Sequence, residues 1–274
     1  RNRVCEQEIV PTEERRHDTS NWAGRIASAL ADDRLLIEAI PLRSLQISTG
    51  SHTVALTARL NEPSLPPVAL AALIDAAERY DLAPTIDRRL IDAAVDALAR
   101  AKRQGRNLHC LLPLSRSSIS SRETADYIAR NLASHNLSGE RLCLVFSEDI
   151  LTHLTSQAME FSRQMHMLGC AIGLDDFGGG LSSFSHLRSI SPSHVKLSRS
   201  LTRDLGGSRA STALLRAVQE ITSDQHIHTI AEDVDDQETL DQLRDLGIDF
   251  AQGKAVAPNE PFEVWLEGAV MRTA

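Results

Sequence analysis

The sequence predicts an α/β fold, a (β/α)8 TIM-like barrel whose first strand runs antiparallel to the second. Three observations predict it. Eight short apolar runs alternate with amphipathic helical segments. Many of these runs are apolar on successive residues, as strands covered on both faces must be. The length, 274 residues, suits one barrel with a short lead-in, since such barrels take about 250 residues.

The elements follow in order. Residues 1–20 are polar, contain Pro11, show no apolar period and read as a linker from an upstream domain. Residues 21–274 read as the barrel domain, opened by a connecting helix in which Trp22, Ile26 and Leu30 lie four apart on one face. The apolar runs are Leu35–Ile40, Val54–Leu60, Leu108–Leu114, Leu142–Phe146, Cys170–Leu174, Val195–Leu197, Ile227–Ala231 and Ile248–Ala251. Helical segments are expected at 68–80, 86–104, 121–134, 151–168, 209–223, 236–246 and 261–271. Only Arg43–Thr53, with Gly50 among them, separate the first two runs. That suits a hairpin-like link, because a crossover helix needs about a dozen residues of its own.

Composition narrows the function. Aromatic residues make up 4%, so the core is aliphatic. The formal net charge of −8 argues against a nucleic-acid partner, which needs a basic face. Cys5, Cys110, Cys143 and Cys170 show no metal-binding spacing and read as reduced thiols of a cytoplasmic protein. No stretch approaches the roughly 20 apolar residues of a membrane span, so no direct membrane insertion is expected. The chain begins at Arg1 and reads as a fragment of a longer protein.

In such barrels the chemistry sits at the C-terminal ends of the strands. The fifth run ends in Asp175-Asp176-Phe177-Gly178-Gly179-Gly180, the sixth carries Lys196, the seventh ends in Ala231-Glu232-Asp233, the eighth in Gln252-Gly253, and the second in Arg59. Adjacent carboxylates after a buried strand repel each other, and a cation or basic partner relieves them. Each residue alone reads equally as a helix cap or a solvated charge. Their arrival at successive strand ends points to a site.

The order of these motifs resembles the EAL family of cyclic di-GMP phosphodiesterases, from about Asn21 to Phe262. LDDFGGGLSSFSHL (174–187) is similar to the family's DDFG loop, and IAEDVDDQETLDQLRDLGIDFAQG (230–253) to its AEGVE…GxD…QG stretch. HVKLSRSL (194–201) resembles its lysine strand, and LIEAIPL (36–42) its first strand, which usually reads Gln-Pro-Ile. NWAGRIASAL (21–30) resembles the helix that often joins a GGDEF domain to an EAL domain. The resemblance implies a barrel of EAL type with an antiparallel first strand, a cyclic di-GMP ligand and, in active members, two Mg²⁺ or Mn²⁺ ions held by clustered oxygen ligands.

Against that pattern the Glu of Glu-Ala-Leu is Ala55, the Asn of Asn-x-Ser is Pro113, and the first Glu of Glu-x-Thr-Glu is Val145, while Glu148 survives. The lysine strand continues to Ser198 where Asp is usual, and Asp235 replaces the second Glu of AEGVE. The expectation is no productive metal pair, no catalytic residue and no hydrolysis. The retained Arg59, Asp87, Asp175, Asp176, Lys196, Glu232 and Gln252 are the candidate ligand-binding set. Arg59 would meet a phosphate and Asp87 a guanine edge, or compensate a helix dipole. Lys196 would neutralise phosphate or pair with Asp175 or Asp176. Phe177, Phe184 and Phe262 are the candidate stacking rings, the first two better read as core, and Lys254 stands where an aromatic is common. Three roles remain open: a non-hydrolysing cyclic di-GMP receptor, as in degenerate members that regulate pili, motility and biofilm; a protein-interaction module with a vestigial site; and, third, an active cyclic di-GMP phosphodiesterase. Partners would be a signalling protein or an upstream GGDEF-type domain, with a homodimer supported by Leu181, Phe184 and Leu187, which read equally as core, as a further expectation.

Overall fold

The computed structural model describes residues 22–46, 52–62, 66–178, 183–203, 205 and 209–271. The side chains of 183–186 and 269–271 lie outside the description, as do the expected linker, Cys5 and Gly50. Strands are β1 (Leu35–Ser44), β2 (His52–Leu60), β3 (Val68–Ala69), β4 (Leu108–Pro113), β5 (Leu142–Ser147), β6 (Ala171–Phe177), β7 (His194–Leu197), β8 (His228–Ala231), β9 (Phe250–Ala251) and β10 (Glu260–Pro261). Helices are α1 (Trp22–Ala31), α2 (Leu70–Glu78), α3 (Ala83–Arg103), α4 (Arg116–Ser120), α5 (Arg122–Ser134), α6 (Glu148–His153), α7 (Thr155–Met167), α8 (Ser183–Ile190), α9 (Arg199–Thr202), α10 (Arg209–Asp224), α11 (Gln237–Asp245) and α12 (Phe262–Met271).

The sheet order β10-β1-β9-β8-β7-β6-β5-β4-β2-β3 closes on itself through β1–β2, giving an eight-stranded barrel with two-residue strands beside β1 and β2. β1 is antiparallel to both β2 and β9, and the pairs from β2–β4 through β8–β9 are parallel. The predicted antiparallel first strand is therefore present.

Side-chain alternation divides each strand between two cores. Val54, Leu56, Ala58 and Leu60 of β2 and Leu142, Leu144 and Phe146 of β5 face the helices in one large aliphatic cluster. Ala55, Leu111, Cys143, Val145 and Ile230 form a second, smaller cluster inside the barrel. Of the two readings of Leu187, dimer contact or core, the structure shows core: it is buried in the larger cluster. Leu181 and the Phe184 side chain lie outside the described residues.

The helices end where local chemistry ends them. α3 begins with Pro84 in its first turn and closes on Arg100, Lys102 and Arg103, cations placed against the negative end of the helix dipole. Asp236 caps α11 by accepting from the Thr239 amide at 2.7 Å. The single helix expected over 151–168 is two, because Leu154, at φ −131° and ψ 40°, breaks the ladder between α6 and α7.

Candidate functional site

The inward rows of the strands rise from the apolar barrel interior to polar side chains at the C-terminal ends. Thr57, Ser147, Asp175, Lys196 and Glu232 line a cleft of about 400 Å³, with Pro113 and Val145 in its wall and Arg199 at its edge.

A hydrogen-bonded network of Lys196, Glu232 and Gln252, with the Asp175 carboxylate acting on it through charge, forms its centre. Lys196 Nζ donates to Glu232 Oε1 at 2.9 Å, and Gln252 Nε2 donates to the same oxygen at 2.6 Å. Burial works against the Lys196 charge, but the carboxylates of Asp175 and Glu232 outweigh it and push the ammonium up to about 12. Burial raises the Glu232 carboxyl, against the pull of Lys196. Lys196 is thus bonded to Glu232, not to Asp175 or Asp176 as expected, and Asp175 acts on it through charge.

Asp175 and Asp176 do not share a face. β6 runs through both residues, and its register with β7 shifts between Leu174 and Phe177. Asp176 adopts φ +56° and is exposed, while its amide donates to Asp175 Oδ1 at 2.9 Å. Solvent therefore relieves one carboxylate of the pair and Lys196 the other.

Asp87 lies within α3, 1% exposed on the cleft wall, and accepts from the Ser115 amide at 2.9 Å and the Ser115 hydroxyl at 2.6 Å. Burial raises its carboxyl, against those bonds. It therefore ties α3 to the start of α4, and the dipole of its own helix does not explain it. Arg59 stands outside the cleft lining: its Nη2 meets Glu38 Oε1 at 2.7 Å and its buried Nε has no hydrogen-bond partner. The structure thus brings Asp175, Lys196, Glu232 and Gln252 together, sets Asp87 in the wall as a brace, and leaves Arg59 and Asp176 apart from that network.

Pro113 and Val145 line the same cleft, over the apolar interior that holds Ala55. Ala55 and Val145 belong to the apolar cluster inside the barrel, 3% and 2% exposed, and Pro113 pairs with Val145 across β4 and β5. Phe177 and Phe262 are 0% and 2% exposed, and Phe262 stacks on Trp265 at 6.2 Å, so Phe262 is core and not an accessible guanine platform. Lys254 is exposed beside Asp235 at 3.4 Å.

Sequence reasoning missed Glu38 and Ser115. Glu38 is the acid inside the apolar run of β1, and an inward carboxylate in such a strand is itself a signal of a cationic neighbour. Ser115 announced itself less, because a serine after a strand reads as a helix cap, which it also is.

Among the described residues no helix is long and apolar enough to cross a membrane. The EAL domain family model matches residues 25–259. The chain is 31% identical over 254 residues to the cyclic di-GMP phosphodiesterase PdeB of Shewanella oneidensis, covering 92% of this chain and 30% of that protein. It thus spans less than a third of that relative's length. The Xanthomonas citri FimX EAL domain, solved in complex with c-diGMP, superposes with a TM-score of 0.80 at 29% identity, covering 91% of this chain and 97% of that one. The Pseudomonas aeruginosa FimX EAL domain bound to c-di-GMP shares the fold, with a TM-score of 0.81 at 22% identity over 88% of this chain and 97% of that one. An antiparallel-started barrel with its polar network at the strand ends, matched along most of its length, belongs to the EAL domain family.

Proposed function

We propose that this chain is a non-hydrolysing cyclic di-GMP receptor module. The observation that carries the reading is the Lys196–Glu232–Gln252 network above an apolar interior that includes Ala55 and Val145. A hard divalent ion takes about six oxygen ligands, several of them charged. Here alanine, proline and valine stand where the family pattern has oxygen donors, and the remaining Glu232 is already bonded to an ammonium. Among the described residues no three His, Cys, Asp or Glu are arranged to hold a metal ion. This donor set supports the non-hydrolysing reading over a two-metal centre.

Binding has independent support. The cleft opens at the strand ends, and the FimX EAL domain of Xanthomonas citri, similar over most of this chain, holds c-diGMP. Arg59 would supply a phosphate contact, and Lys196, Glu232 and Gln252 polar contacts to the ring or a guanine. The second reading, a protein-interaction module, draws on the internal pairing of the cations: Arg59 with Glu38, Lys196 with Glu232, and Arg199 with Asp233. A GGDEF-type upstream domain, a signalling partner and a cytoplasmic setting belong to the receptor proposal.

Calorimetry with cyclic di-GMP, joined to incubation with Mn²⁺, tests it. Micromolar binding lost on Arg59→Ala, with no linear dinucleotide formed, is expected. Product at ordinary turnover overturns the non-hydrolysing claim, and absence of heat at millimolar ligand favours the interaction module.

A further inference from the structure

Resting on the receptor reading, we propose that Glu38 sets the affinity of the site by competing with the ligand's phosphate for Arg59. Glu38 is 7% exposed and lies on β1 among Ile37, Ala39 and Ile40. In the antiparallel register it faces Thr57, and Arg59 lies two residues further along the same face of β2. The carboxylate reaches across this diagonal to Arg59 Nη2 at 2.7 Å. Thr57 lines the cleft, so the pair sits directly beyond it.

Two features make this pair a competitor for ligand. A guanidinium presents its donors as a rigid fork, which a phosphate grips at two points. Here Nη2 is held by Glu38 while the buried Nε–H has no partner, so the fork is half used. A phosphodiester oxygen supplies the missing acceptor at Nε, but its second oxygen then meets Nη2 where the Glu38 carboxylate already stands. The two anions repel in a partly desolvated setting, and one must yield. The backbone cannot withdraw Glu38, because β1 is paired to β2 on one edge and to β10 on the other, with Glu38 opposite Pro261. Glutamine at this position keeps the shape and a neutral acceptor while removing the charge.

The test is titration calorimetry with cyclic di-GMP on the wild-type chain, Glu38→Gln, Glu38→Ala, Arg59→Ala and Glu38→Gln/Arg59→Ala, each first checked for folding by circular dichroism. Roughly tenfold tighter binding by Glu38→Gln, absent from the Arg59→Ala background, is expected, and Glu38→Ala tightens in the same direction. Binding by Glu38→Gln alone, with none by the wild type, supports the proposal equally. Equal affinity of wild type and Glu38→Gln overturns it while the receptor reading stands. Tightening that persists without Arg59 overturns the route through the guanidinium. No binding by any variant overturns both readings.

Discussion

Lys196 is a buried ammonium facing Asp175 and bonded to Glu232, and the energetics of removing it differ from those of removing the whole cluster. Lys196→Met leaves two carboxylates without their cation and should cost about 3–5 kcal/mol. Lys196→Met/Glu232→Gln should recover part of that loss, because the buried charge goes with its partner. Urea denaturation of the two variants checks the order. That Lys196, Glu232 and Asp175 would meet was legible, since Asp175 and Glu232 end apolar runs and Lys196 lies within the one between them. Which carboxylate would take the lysine was not, because Asp175 and Glu232 stand at the ends of the strands to either side of it and only the geometry gives Glu232 the hydrogen bond. Asp87 carries a second role that the sequence did not show. Its position matched a ligand contact, and only the approach of Ser115 from the end of β4 reveals a bracing role.

At the scale of elements, close backbone approaches hold the site's strand ends in place. Gly253 follows Gln252 at φ +141°, and a Cβ there would lie 2.4 Å from both Val234 N and Val234 O. The Val234 amide donates to the Gln252 carbonyl at 3.0 Å, so this crossing fixes Gln252 against Glu232. Gly253→Ala should therefore cost about 3 kcal/mol or more. Gly105→Ala, at φ +67° with open space around it, should cost only about 1–2 kcal/mol. Thermal melts of the two variants separate close approach from backbone strain alone. Long elements such as α3 and α10 were readable from their period, whereas β3 and β10, two residues each, are too short for any period. The break at Leu154 carried only a weak signal, the low helix propensity of Thr152, His153, Thr155 and Ser156, with no Gly or Pro to mark it.

For the whole molecule, the acidic balance and the aliphatic core agree with the sequence reading, but a polar layer at the opposite end of the barrel was not foreseen. His194 and His228 lie with ring centroids 5.4 Å apart, and Phe250 packs against both. Burial lowers His194 from 6.5 to about 4, with His228 and His109 adding to the effect. His228 shifts the other way, raised by its bond to Asp249. A depressed histidine favours the fold above its unfolded value and withdraws that support as pH falls through its folded value. His194 should thus cost about 3 kcal/mol between pH 6.5 and 4. His228 acts oppositely, stabilising below 6.5 and losing that contribution as pH rises through its elevated value. Denaturation midpoints of wild type and His194→Gln over this window should diverge, the variant being the less sensitive to acid. No such divergence would sink the assignment.

The shared strand β1 carries a further consequence, one of timing. Its β2 partner is near in sequence, but β9 and β10 arrive only at Phe250 and Glu260. Closing so large a loop is entropically slow, so the hairpin can exist well before the ring. During synthesis the inner row of the barrel therefore waits open, wetted at one seam, until the residues of β9 and β10 have left the ribosome.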